Sequence, residues 1–240
     1  VTEWWTYRPS DFLMFSPRIY WRLFEHINLA TWPLAALAVV LGLGLLAWCW
    51  RRPGSDRAAR LTALLLAAAW GHVAWAFLWQ RFTPIQWAAT GFALAFAVQA
   101  AALLAAAWPV TGRAASSLRR HAGLALAVWA LLLHPLLAWA QGRPWQQAEV
   151  FGLAPDPTVL ATLAWLLMAP ARQQAANWWL AALWVLPVSW CGLSAATLFA
   201  MGSMQAAIPL AGAGLALVVA LTAFYWGRRM RNRCSAPISK

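Results

Sequence analysis

Residues 28–50 read NLATWPLAALAVVLGLGLLAWCW, a stretch without a charged side chain, bordered by Glu25 and His26 before it and by Arg51 and Arg52 after it. A helix needs about 20 apolar residues to cross the hydrocarbon of a bilayer, and this run has that length. Its reading decides the fold class. Six further runs of similar length follow, at roughly 61–80, 86–109, 122–140, 150–170, 178–198 and 207–227, each of them near the ~20 residues of a span. The expectation is an all-α fold, a polytopic membrane bundle of about seven transmembrane helices. It divides into an N-terminal interfacial segment at 1–27, a membrane domain at 28–227 and a basic tail at 228–240.

Composition points the same way. The chain of 240 residues is 63% hydrophobic and 10% charged, with a mean hydropathy of +0.60, whereas soluble domains carry about a quarter charged residues. A soluble domain is excluded. The net charge of +12 lies in short clusters between the apolar runs, which argues against nucleic acid as a partner. Membrane lipids are the expected partners of the apolar runs, and binding of the basic loops to acidic lipid or a partner is a weaker reading than their role in orientation. Cys49, Cys191 and Cys234 are far apart and form no CxxC pair, so neither a disulfide framework nor a zinc site follows. Many of the 20 tryptophans stand near the ends of the apolar runs, where indole rings favour the headgroup level. The first run begins too late, after too many aromatic and charged residues, for a cleavable signal peptide, and is expected to stay attached.

Orientation follows from the arginines. With seven spans, loops 51–60, 110–121 and 171–177 share one side with the C-terminal tail and carry 13 of the 18 basic residues. Short loops rich in Lys and Arg stay cytoplasmic, which places the N-terminus outside and the C-terminus inside. Ahead of the first span, Phe12, Leu13, Phe15, Ile19, Tyr20, Leu23 and Phe24 alternate with Ser16, Arg18, Arg22 and Glu25. That pattern suits an amphipathic helix in the outer interface.

The fifth run, VFGLAPDPTVLATLAWLLMAP at 150–170, holds the main irregularity. A helix is expected to start with Asp156 as its N-cap and Pro157 at its first position. From there to Met168 is about a dozen residues, or roughly 20 Å at 1.5 Å each, against ~30 Å of hydrocarbon. Residues 151–155 are then either non-helical chain at membrane depth, which requires cover by protein or by a water-filled cavity, or a capped outer turn packed against the tryptophan-rich loop 141–147 with the bilayer thinned locally.

His72 and His134 sit at matching depths, about 10 Å below the outer ends of spans two and four by helical rise. Facing histidines can ligate a b-type haem, relay protons or bind a transition metal. No third ligand has metal spacing, so no metal site is assigned. Pro135 removes the amide that would bond Leu131, and Pro187 does the same to Leu183. Glu25, His26 and Asn28 reach the outer surface together with Gln80, Arg81, Gln86 and Arg143, where headgroup contact competes with an ion pair of Glu25 with Arg81 or Arg143. Gln99, in the middle of span three, reads as an interhelical hydrogen bond. No GxSxG, P-loop or dinucleotide fingerprint occurs, which disfavours an enzyme.

The expected ligand-binding residues are thus His72, His134, Asp156, Glu25, Asn28, Gln80, Arg81 and Arg143, around an outward-facing polar pocket between spans one, two, four and five. Two functions fit. One is a permease or solute-binding membrane component for a small polar or ionic solute. The other is an accessory or anchor subunit with partner membrane subunits or a hydrophobic cofactor such as haem or quinone.

Three stretches, DFLMFSPRIYWRLFEHINLATWP at 11–33, FTPIQWAATGFALAF at 82–96 and FGLAPDPTVLATLAWLL at 151–167, together resemble the bacterial multi-pass membrane family catalogued as domain of unknown function 6064. The resemblance covers nearly the whole chain. It implies a bacterial inner-membrane protein and brings no assigned activity or cofactor.

Overall fold

The computed structural model describes residues 14–108, 114–169 and 178–234. The beginning of the amphipathic segment, with Phe12 and Leu13, parts of the basic loops at 109–113 and 170–177, and the end of the tail at 235–240 lie outside the described residues.

Among the described residues the fold is all-helical, the nearest approach to a sheet being one isolated bridge between Phe151 and Ala154. Helix α1 runs Pro17–Arg51, opened by Ser16, whose hydroxyl accepts from the Ile19 amide, and by Pro17 at its first position. It bends at Thr31, two residues before Pro33, which has no amide to give. The expected interfacial segment is therefore the first part of one long helix. Its apolar side is turned into protein, with Tyr20, Leu23, Phe24 and Ile27 all buried. Phe24 stacks on Phe77 at 4.9 Å between ring centroids, and Phe15 meets Phe82 edge-on at 5.5 Å.

Helix α2, Asp56–His72, starts at the Ser55 cap and continues without interruption as a π-wound segment, Val73–Phe82. It returns through a short turn into α3, Ala89–Ala106. Trp70 of α2 packs on Phe96 of α3 at 4.2 Å. Helix α4, Ser117–Val128, passes into a π turn at Trp129–Leu133, then breaks at Pro135 into the short α5, Leu136–Ala140. After a 3₁₀ turn at Trp145–Gln147 comes α6, Pro155–Met168; α7, Trp178–Ala200, and α8, Ala207–Cys234, complete the fold.

Helix α6 is the hub, touching α2, α4, α7 and α8. Twelve of its 14 residues are buried, as a helix apolar on every side must be in a packed interior. Small residues let its neighbours come close: a Cβ at Gly123 of α4 would lie 2.9 Å from the Ala164 carbonyl oxygen. Polar side chains inside the bundle bond back to backbone or across helices. Thr158 and Thr162 donate to the carbonyls four residues earlier, and Trp70 Nε1 donates to Thr162 at 2.7 Å.

Among the described residues, five helices are long and apolar enough to cross a membrane: Pro17–Arg51, Asp56–Phe82, Ala89–Ala106, Ala182–Ala200 and Met204–Trp226. The expected fourth and fifth spans differ from that pattern for local reasons. The fourth is divided because Pro135 interrupts the amide ladder where the helix is already π-wound. The fifth has only the 14 residues of α6 as regular helix. The outward surface is apolar, with Trp32, Leu37, Val40, Leu94, Val98, Val218 and Leu221 all exposed. So large an apolar surface is suited to lipid and not to water.

Two irregularities noted in the sequence satisfy each other. Pro187 leaves the Leu183 carbonyl without its helical partner, and the Gln99 side chain, fully buried, donates to that oxygen at 3.1 Å. The basic residues near the other end have capping work as well. Arg119 donates to the Leu166 carbonyl at the end of α6, and Arg120 to that of Trp50 at the end of α1.

Candidate functional site

The site is built around the chain that enters α6. The helix begins at Pro155, two residues earlier than expected, and Asp156 is not its cap: Ala154 is the preceding residue, with no side-chain cap bond. The reason is that proline at 155 supplies a helical φ and has no amide to satisfy, so it serves as first position itself. Thr158 does the tying instead, its hydroxyl accepting from the Gly152 amide at 3.0 Å and donating to the Ala154 carbonyl at 2.8 Å. Gly152 has φ +80, which a side chain disfavours. Its carbonyl oxygen lies 2.8 Å from His72 Nδ1. Residues 151–156 are all buried, so this non-helical chain is covered by protein.

Freed from capping, Asp156 faces α7. Its Oδ1 accepts from Trp190 Nε1 at 2.8 Å and its Oδ2 from the Ser194 hydroxyl at 2.6 Å. Beside it stand His134, at the break between α4 and α5, and Glu149, in the extended chain before α6. One ligand atom from each of the three lies within 4.8 Å of the other two. None of the three is more than 4% exposed. His134 Nε2 is 3.4 Å from Glu149 Oε2, yet neither ring nitrogen of His134 makes a hydrogen bond. The π turn explains the histidine's placement, since its amide bonds the Trp129 carbonyl five residues back, not four. Two carboxylates and an imidazole in an apolar interior carry a high desolvation cost unless a proton, a cation or a polar solute compensates them.

Surrounding residues hold Glu149 in position. Asn28 donates from its single amide nitrogen to the carbonyls of Gln146 and Ala148, both at 2.7 Å. Glu25 accepts from Gln147 at 3.1 Å, in place of the ion pair with Arg81 or Arg143. The guanidinium of Arg143 lies 3.6 Å over the Trp21 ring and donates to the Gln147 carbonyl. Burial pulls the Arg143 guanidinium below its ordinary value, and the neighbouring Glu149 carboxylate opposes that shift. Arg81 donates to the Ala76 carbonyl and, at 3.5 Å, to Gln80.

Of the expected ligand residues, the structure brings His134 and Asp156 together. His72 meets the same segment at Gly152, Asn28 and Glu25 brace the chain before it, and Gln80 and Arg81 bond each other near the end of the π-wound segment Val73–Phe82. Glu149, Trp190 and Ser194 are not among the expected ligand residues. For Glu149 a signal existed: it is a lone carboxylate set among Ala148, Val150 and Phe151. Two openings lie nearby. A groove of about 480 Å³ runs between α1 and the α4–α5 break, lined chiefly by apolar side chains, with Asn28 and Gln146 on its rim. A cleft of about 80 Å³ is lined by Tyr20, Gln86 and Thr197 together with Trp190 and Ser194, the two partners of Asp156.

Fold and site define an all-helical protein of membrane-length helices with a buried ionisable cluster beside a broken helix. A family model of unknown function, DUF6064, matches residues 17–233, and the chain belongs to that family. No curated protein and no solved structure matches.

Proposed function

We propose that this protein is a multi-pass bacterial inner-membrane permease or solute-binding component, and that the His134, Glu149 and Asp156 cluster binds its small polar or ionic solute. The observation that carries this reading is the burial of three ionisable groups within 4.8 Å of one another, with both His134 nitrogens free of hydrogen bonds. Intramembrane ionisable groups are costly and mark solute or proton paths. In this reading α4 with α5, and α6 with the turn before it, complete seven crossings, with the N-terminus outside. The broken helix supplies the site, as at other membrane binding sites where non-helical chain is covered by protein. The test is thermal stabilisation of the purified full chain by a panel of amino acids, small carboxylates and inorganic ions. A solute that stabilises wild type and not Asp156→Asn supports the reading, and a panel without such a solute counts against it.

A second reading, an accessory subunit that packs against partner membrane subunits or a quinone or haem, has one observation in its favour. The membrane-crossing part of α1 is largely unburied by the rest of the chain and borders the 480 Å³ groove. A partner that co-purifies in fixed stoichiometry would favour it.

A further inference from the structure

The geometry points to a divalent transition-metal ion as the ligand of His134, Glu149 and Asp156. This rests on the reading of that cluster as the binding site and names its ligand class. Charge is the first argument. Two carboxylates are buried side by side, and the only ion pair among the described residues is the one between His134 and Glu149. A dication neutralises both carboxylates at once, whereas an imidazolium can neutralise one.

Distance is the second argument. The 3.4 Å between His134 Nε2 and Glu149 Oε2 is not a hydrogen bond in this geometry. It is about the edge, ~3.4 Å, of a tetrahedron with metal bonds of ~2.1 Å. In such a site every pair of ligand atoms is that far apart, so atoms already within 4.8 Å of one another would close by at most about 1.4 Å on binding.

The donor set is the third. Imidazole with two carboxylates suits manganese, iron, cobalt or zinc, whereas calcium and magnesium take oxygen ligands alone. Asp156 is oriented by Trp190 and Ser194, as ligating carboxylates are by their outer partners. Those same two side chains line the 80 Å³ cleft, the side from which an ion with its remaining water ligands would approach.

The experiment uses the full, untagged chain in detergent with its native lipids, stripped with a chelator and titrated with Co²⁺ while its visible d–d absorption is followed. Metal content after loading with Zn²⁺ is counted by mass spectrometry. One equivalent per chain is expected. Glu149→Gln, Asp156→Asn and His134→Gln should each weaken Co²⁺ binding about 100-fold, and Ser194→Ala about 10-fold, the range for outer-shell partners. Near-UV circular dichroism of the many tryptophans confirms that each variant is folded. Wild type binding no more Co²⁺ than the folded triple variant overturns the inference. If a metal-free solute still stabilises wild type and not Asp156→Asn, the ligand class falls and the binding-site reading stands. Metal held at the cluster with no metal entering proteoliposomes keeps this inference and removes the permease reading.

Discussion

Replacing Thr158 with valine tests whether the break before α6 is dry. The substitution keeps the shape of the side chain and removes the hydroxyl that accepts from the Gly152 amide and donates to the Ala154 carbonyl. The Ala154 carbonyl keeps its place in the first helical turn, so losing that donor costs about 1 kcal/mol. The Gly152 amide is different, because Gly152 is buried and the hydroxyl is the partner the structure gives it. An orphaned buried amide costs about 1–3 kcal/mol, and Thr158→Val should therefore lose about 3 kcal/mol in all. Thr158→Ser keeps both hydrogen bonds and gives up one methyl group, about 1 kcal/mol. Equilibrium unfolding by increasing mole fraction of sodium dodecyl sulfate in mixed micelles, followed by tryptophan fluorescence, measures both. If valine costs no more than serine, water replaces the lost hydroxyl, the turn is wet, and the argument for a sealed break is refuted.

The remaining predictions concern the same architecture. With the native cysteines changed to serine, Ala154→Cys should resist a membrane-impermeant thiol reagent, because Ala154 is fully buried; rapid labelling from outside would place it beside water. Gly123→Val should destabilise the chain by about 1–3 kcal/mol through overpacking, since the added Cβ meets the Ala164 backbone oxygen at 2.9 Å; unchanged unfolding would mean that α4 and α6 separate easily. Gln99→Leu should cost about 1–3 kcal/mol by leaving the Leu183 carbonyl unpaired beside Pro187, and a neutral result would show another donor there. A reporter active only in the periplasm should work after Arg81 or Arg143 and fail after Arg57, Arg119 or Arg233; a periplasmic C-terminus would overturn the orientation.

What the sequence determined by itself are the features that depend on one residue at a time or on near neighbours. Transfer from water to lipid is nearly additive along a run, so five of the seven apolar stretches were legible as helices of membrane length among the described residues. Proline acts on its own φ and on the carbonyl four residues back, so the break before α6 and the carbonyl freed by Pro187 were legible too. The exact start of α6 was less so, because two prolines, Pro155 and Pro157, both qualify as a first helical position. Gln99 and the Leu183 carbonyl were each visible as an irregularity, but only the packing of α3 on α7 shows that one answers the other.

The cluster belongs to tertiary structure altogether. Glu149 stands out in sequence as a lone carboxylate at the head of an apolar run, but nothing there says whether it faces the interior or the headgroups. The fold turns it inward because Asn28, more than a hundred residues away, holds the carbonyls of Gln146 and Ala148. Asp156 has the sequence position of a cap, and it becomes part of the cluster only because α7 brings Trp190 and Ser194 to its two oxygens. Residues far apart in the chain carry no spacing signal, and their meeting is fixed by which helices pack together.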